Sequence, residues 1–148
     1  MIATEPKVTE CTPQEAWQGL EKDGSAQLID VRTRPEWGFV GIPDISALGR
    51  QVILHEWRQF PQMTVNPAFV DEVIDSLGGT PPRTLFFICR SGARSMEAAH
   101  AVAAGCAARG HDVTCVNVAE GFEGDLDGNR HRGKNNGWKA RGLSWQQG

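Results

Sequence analysis

Thr84-Leu85-Phe86-Phe87-Ile88-Cys89-Arg90-Ser91-Gly92-Ala93-Arg94-Ser95 is the stretch that decides how this chain is read. Leu85 to Ile88 form an apolar run, bounded by Pro81-Pro82 on one side and by a basic, glycine-containing loop on the other. Such a run suits a strand buried on both faces of a parallel sheet. Met96 to Arg109 is alanine-rich and predicts a helix that Gly110 closes. Strand, tight loop and helix follow one another directly, so the first unpaired N–H groups of the helix point into the loop. That makes the loop a ready anion site, with Cys89 at its start.

Working outward, Val8 predicts a short first strand, and Thr12-Pro13-Gln14-Glu15 is a capping box with proline at the first helical position. Ala16, Trp17 and Leu20 share one face of the amphipathic helix this starts, which runs from Thr12 to about Lys22 and ends at Asp23-Gly24. Gln27 to Val31 reads as a strand. In Arg32 to Trp37, Pro35 starts a single helical turn with Trp37 tucked beneath it. Gly41 to Gly49 is turn-rich, and Gln51 to Leu54 predicts a short strand near an edge. Trp57, Phe60, Pro61 and Met63 lie in a long connection without periodicity, the kind that is functional or packed by its own side chains. Asn66-Pro67 predicts a second helix start, and Phe69, Val70, Val73, Ile74 and Leu77 keep helical spacing up to Gly78-Gly79.

Beyond the central stretch, Val113 to Val118 reads as a further strand. Alternating strands and helices with short connections predict an α/β fold with a largely parallel sheet, whose ligands gather at the carboxyl ends of the strands. From Glu120 onward glycines punctuate a polar tail carrying Trp138, Leu143 and Trp145. It reads as irregular but folded, its aromatics docked on the body. At 148 residues the expectation is one domain over 1–148, with a core at about 8–123 and the tail, 124–148, packed on it.

A net charge of -3 gives no global basic footprint, so neither nucleic acid nor a membrane surface is an expected partner. The first residues lack the charged and apolar regions of a signal peptide, and a cytoplasmic location is expected. Cys11, Cys89, Cys106 and Cys115 show no C-x-x-C spacing and read as thiols. His55, His100, His111 and His131 show no zinc-type spacing, so no metal is expected.

A cysteine that follows a strand is ordinarily a small buried apolar residue. Cys89 differs because Arg90, Gly92 and Arg94 surround it in a loop that opens a helix, an electropositive setting that stabilises a thiolate. Backbone donors and arginines fixed around the sulfur would also hold an anionic substrate and the charge growing on its leaving group. Cys11, Cys106 and Cys115 read as packed hydrophobes, with a resolving thiol as the alternative.

Cys89-Arg90-Ser91-Gly92-Ala93-Arg94-Ser95 resembles the active-site loop of the rhodanese-like sulfurtransferases, with Cys89 at the nucleophile position. Leu28-Ile29-Asp30-Val31-Arg32 with Glu36-Trp37 is similar to the family's first signature. Gly41-Ile42-Pro43 stands in place of its usual Gly-His-Ile turn, and Glu120 departs from the Gly-Gly turn that commonly follows the last strand. The resemblance spans residues 8 to 123, and the tail resembles that of a bacterial single-domain subgroup. It implies a five-stranded parallel sheet flanked by helices.

For function, it implies sulfane-sulfur transfer from a small anionic donor such as thiosulfate, through a Cys89 persulfide, to cyanide or a thiol. That thiol would be a small molecule or a thioredoxin-like protein. Arg90, Ser91, Gly92, Ala93, Arg94 and Ser95 would bind the substrate, their backbone N–H groups cradling the persulfide and the two arginines holding the sulfonate end. No metal or cofactor is implied.

Two other readings compete. Phosphatases with a cysteine nucleophile, and arsenate reductases, resemble Cys-x5-Arg; here Ser95 stands where that arginine would, and the arginine comes one residue early at Arg94. A tighter loop suits one sulfur atom better than a tetrahedral phosphate. The third reading is a non-catalytic module that binds an anion or a partner. Gly128 to Lys134 matches a Gly-x4-Gly-Lys phosphate loop, but Asn135 replaces the required hydroxyl residue and no apolar strand precedes it. The basic residues there, Arg130, Arg132, Lys134, Lys139 and Arg141, read as solvated surface, with attraction of anions to Cys89 as the alternative. Asp30, Arg32 and Glu36 read as a structural ion-pair or hydrogen-bond cluster, with a catalytic acid as the alternative.

Overall fold

The structure, a computed structural model, describes residues 5–147. In chain order the elements are β1 (Lys7–Cys11), α1 (Pro13–Lys22), β2 (Gln27–Asp30), α2 (Arg34–Val40), β3 (Ile42–Pro43), β4 (Ile53–Leu54), β5 (Arg58–Gln59), β6 (Thr64–Val65), α3 (Phe69–Ser76), β7 (Thr84–Ile88), α4 (Ala93–Ala108), β8 (Thr114–Val118) and β9 (Trp145–Gln146). Five strands form one parallel sheet in the order β1-β8-β7-β2-β4. The strand that carries Cys89 at its end is therefore the central one.

Its apolar run is continuous because both faces are covered. Leu85 and Phe87 point to one side, where they pack with Phe69 and Val73 of α3 and with Ala98, Ala99 and Val102 of α4. Phe86 and Ile88 point to the other, against Ala16 and Leu20 of α1 and against Phe122 and Trp138 of the tail. Successive side chains of a strand alternate faces, so four consecutive apolar residues fill two cores at once.

Local signals set most of the helix ends. The Thr12 hydroxyl accepts from the Glu15 N–H at 3.1 Å while the Glu15 carboxylate accepts from the Thr12 N–H at 2.9 Å, closing the capping box of α1. The Asn66-Pro67 start acts two residues ahead of the helix. Asn66 Oδ1 accepts from the Ala68 N–H and its Nδ2 donates to Glu72, so α3 begins at Phe69. Pro35 starts two turns, not one, and Trp37 stays half-buried on α2. The connection without periodicity folds back as the β5–β6 hairpin, with Trp57 edge-on to Phe69 at 5.1 Å and its Nε1 donating to Glu97.

The glycine-punctuated tail is tied down. Trp138 is fully buried, lies edge-on to Trp17 at 6.1 Å and donates its indole N–H to the Ser144 carbonyl at 2.7 Å. Farther on, β9 pairs antiparallel with β3. Among the described residues no helix is long and apolar enough to cross a membrane.

Candidate functional site

Cys89 follows the last residue of β7, at the carboxyl end of the central strand, with 1 % of its surface exposed. Gly92 takes φ +118, a left-handed conformation that suits glycine, and caps α4, which therefore begins at Ala93, three residues earlier than the alanine-rich run predicts. The chain reversal aims the Gly92 N–H at Cys89 Sγ, 3.1 Å away. The Ser95 hydroxyl lies 3.2 Å from the same sulfur.

Ser95 is itself held. Its Oγ is 2.5 Å from Asn117 Oδ1, and Asn117 Nδ2 donates to Glu10 Oε2 at 3.0 Å, which fixes the amide orientation. A hydroxyl has one proton to give. It can donate to Asn117 while the sulfur is a thiol, and turn to the sulfur when the sulfur is an anion. Asn117, buried on β8, is a functional candidate that sequence reasoning missed. An asparagine flanked by Val116 and Val118 in a strand was the available signal.

Arg94, expected to hold the anionic end of a donor, is paired with a carboxylate. Its guanidinium makes two parallel bonds to Glu36, at 2.7 and 2.8 Å, and Glu36 also accepts from the Thr33 N–H and hydroxyl. Burial alone would raise the Glu36 carboxyl, but the hydrogen bonds and charge of Arg94, with those of Thr33, outweigh it and hold it at about 2. Burial disfavours the Arg94 cation, yet Glu36, with further negative charge at Cys89 and Asp30, raises its pKa.

The expected cluster of Asp30, Arg32 and Glu36 is thus two separate units. Asp30 and Arg32 form a wholly buried ion pair at 2.7 Å, with Arg32 also donating to the Gly41 carbonyl and stacked over Phe122 at 4.3 Å. Glu36 sits with the cysteine loop instead.

A second turn holds that loop from behind. The Phe122 N–H donates to the Cys89 carbonyl at 2.8 Å, and those of Glu123 and Gly124 to the Arg90 carbonyl. Gly121 allows this approach: a Cβ there would lie 2.5 Å from Arg90 backbone atoms, and its φ is +66. Glu120, where glycine is usual, also takes positive φ, +71. Its carboxylate accepts from the Gly137 N–H and from Arg141, so the side chain in this strained position anchors the tail.

Of the remaining loop residues, Arg90 and Ala93 are exposed, and Ser91 and Gly92 half-buried. Arg90 and Arg94 wall an open cleft of about 510 Å³, together with Glu36, Val40, Met63, Glu123, Leu126, Arg130 and Arg132. Two arginines of the tail, read as solvated surface, therefore stand beside the cysteine loop. All four cysteines are free thiols. Burial, reinforced for Cys11 by Glu15 and Glu10 and for Cys115 by Cys106, pushes both thiols up to about 12; burial also raises Cys106. No group of three or more His, Cys, Asp or Glu side chains among the described residues is arranged to hold a metal ion.

Known proteins resemble the chain over most of its length. An uncharacterized protein of Rickettsia rickettsii is 33 % identical over 132 residues, 89 % of this chain and 92 % of its own. An uncharacterized protein of Rickettsia prowazekii is 32 % identical over the same shares. The crystal structure of Rv0390 from M. tuberculosis superposes with a TM-score of 0.84 at 42 % identity, covering 96 % of this chain and 99 % of that one. Residues 12–126 match the rhodanese-like domain, a span that runs from the cap of α1 through the cysteine loop to the turn behind it. The chain belongs to the rhodanese-like domain family.

Proposed function

We propose that this protein is a sulfurtransferase in which Cys89 carries sulfane sulfur as a persulfide. The observation that carries the reading is the pair of donors on one buried sulfur, the Gly92 N–H at 3.1 Å and the Ser95 hydroxyl at 3.2 Å. The N–H is fixed at that distance and the hydroxyl needs only to turn its proton, so the pair stabilises an anion with little reorganisation during the reaction. The Cys89 thiolate attacks the outer sulfur of thiosulfate, the S–S bond of the donor breaks, and its electron pair leaves on sulfite. The persulfide then passes its outer sulfur to cyanide or to a thiolate, and the electron pair of the broken bond returns to Cys89 Sγ. This is covalent nucleophilic catalysis, with no metal or cofactor in any step.

The loop residues divide the work. Gly92 and Ser95 hold the sulfur, while the backbone from Arg90 through Ser91 and Ala93 lines the cradle for the persulfide. Arg90 makes no ion pair among the described residues, so its guanidinium is free to take the sulfonate end of the donor. Arg94, engaged by Glu36, adds positive charge beside the sulfur and holds the loop closed. We place the acceptor thiol, on a small molecule or a thioredoxin-like protein, in the cytoplasm, and treat 1–148 as one domain.

The Cys-loop phosphatase reading is disfavoured by Ser95, whose hydroxyl touches the sulfur where that chemistry needs an arginine. Thiocyanate formation from thiosulfate and cyanide tests the proposal. Wild type should turn over and Cys89→Ser should not, whereas Cys89-dependent hydrolysis of an aryl phosphate without any sulfur transfer would overturn it.

A further inference from the structure

We infer that the cleft beside the cysteine loop is the subsite for the thiol partner, and that Arg130 and Arg132 select thiols carrying two or more carboxylates. The inference rests on the sulfur-transfer reading and names the substrate class that reading leaves open.

Size is the first argument. At about 510 Å³ the cleft falls within the range of small-molecule sites, far more than a five-atom donor such as thiosulfate needs. Its wall is mixed: Val40, Met63 and Leu126 offer an apolar strip, which suits a carbon skeleton and not a bare inorganic ion.

Charge is the second. Four arginines face two carboxylates, Glu36 and Glu123, and Arg94 is already engaged by Glu36. Arg130 makes no ion pair among the described residues, and Arg132 uses Nη1 on the Gly124 carbonyl with its other donors left over. Guanidinium groups bind carboxylates through paired, planar hydrogen bonds that a lysine does not offer.

The third argument is that these arginines are held in place by design of the loop. The Asp127 carboxylate accepts the N–H groups of Asn129 and His131, both at 2.8 Å, and the Asp127 N–H donates to the His131 carbonyl. The Gly133 N–H closes on the Glu123 carbonyl. Arg130 at the tip takes φ +63, a conformation a long side chain rarely adopts, and contributes to the cleft wall from there. Both arginines lie beyond residues 12–126, so the subsite is built by the tail on a domain that already holds the cysteine.

In this subsite the carboxylates of the partner pair with Arg130 and Arg132 and its thiolate approaches the Cys89 persulfide. The new S–S bond forms to the outer sulfur, the old one breaks, and its electron pair returns to Cys89 Sγ; the acceptor's proton goes to solvent.

The test has two arms on the full chain. In the first, calorimetry follows binding of methylthiosuccinate, an unreactive dicarboxylate thioether, to Cys89→Ser protein with and without R130A and R132A. Binding that weakens at least tenfold in the double substitution is expected. No binding, or binding indifferent to both arginines, would overturn the inference. In the second, protein loaded with sulfur from thiosulfate is discharged by mercaptosuccinate or by 2-mercaptoethanol, and each variant is scored against wild type for each thiol.

The loss of kcat/KM with mercaptosuccinate should exceed the loss with 2-mercaptoethanol at least tenfold, and R130E alone, at an exposed position, should reproduce the trend. Equal losses for both thiols would contradict it. Failure of wild type to load sulfur would bring down the sulfur-transfer reading instead, and the binding arm, which involves no sulfur chemistry, still decides whether the carboxylate site exists.

Discussion

Glu36 grips Arg94 through two parallel hydrogen bonds, at 2.7 and 2.8 Å, and so fastens the far side of the cysteine loop to the first turn of α2. The pair joins residues 58 positions apart, and its side chains are only about a fifth exposed. Removing one partner leaves the other charged and largely desolvated, which is the expensive way to break an ion pair.

Glu36→Gln should therefore lower stability at pH 7 by about 1–3 kcal/mol. The pH dependence has a definite sign. The folded carboxyl titrates at about 2, below its ordinary value of 4.5, so its contribution is complete above pH 4.5 and is lost as the pH falls toward 2. Thermal melts of wild type and variant should differ at pH 7 and converge near pH 2. A constant difference across that window would mean that the Glu36 charge is not what stabilises the loop.

Ser95→Ala removes one of the two donors on the sulfur, together with the bond to Asn117. A hydrogen bond to a charged group is worth about 1.5–3 kcal/mol, which corresponds to a rate of Cys89 loading lower by about 10- to 100-fold. Stopped-flow measurement of sulfite release reads this directly; an unchanged rate would leave the Gly92 N–H as the donor that matters.

Gly121→Ala brings a Cβ to 2.5 Å from Arg90 backbone atoms in a conformation, φ +66, that alanine resists. Neither side can give without moving the cysteine loop. Urea unfolding should show a loss of about 1–3 kcal/mol, and the folded fraction should load sulfur more slowly. A variant with wild-type stability and loading would show that the turn behind the loop is not a constraint on it.

Cys11 and Cys115, with thiols pushed up to about 12, should stay protonated at pH 8, where only about one in ten thousand would be ionised. In Cys89→Ser protein, iodoacetamide should alkylate both far more slowly than free cysteine, as peptide mass mapping would show. Rapid alkylation of Cys11 would return it to consideration as a resolving thiol.

What the sequence disclosed follows from the range of each interaction. The Thr12 capping box, the apolar run of β7 and the spacing of α3 are local, and each element formed over the residues that carry its pattern, although α3 starts two residues after Pro67. The start of α4 was displaced because Gly92, a loop residue by composition, caps the helix through its left-handed backbone. Glu36 lies close to Asp30 and Arg32 in the sequence, whereas its partner Arg94 becomes a neighbour only once α2 meets the cysteine loop. Asn117 shows in the sequence only as an amide within a strand; its place beside the sulfur depends on Ser95 and Glu10, which come from two other elements. Arg130 and Arg132 look like solvated charge until the tail folds back along Trp138 and sets them beside Arg90.

The central claim is that Cys89 itself carries the transferred sulfur, and intact-mass measurement after incubation with thiosulfate tests it most directly. Wild type should gain the mass of one sulfur atom and lose it on treatment with a reducing thiol, while Cys89→Ser should gain nothing. A wild-type protein that takes up no sulfur from thiosulfate, polysulfide or a cysteine persulfide would contradict the account, as would an adduct that survives in Cys89→Ser.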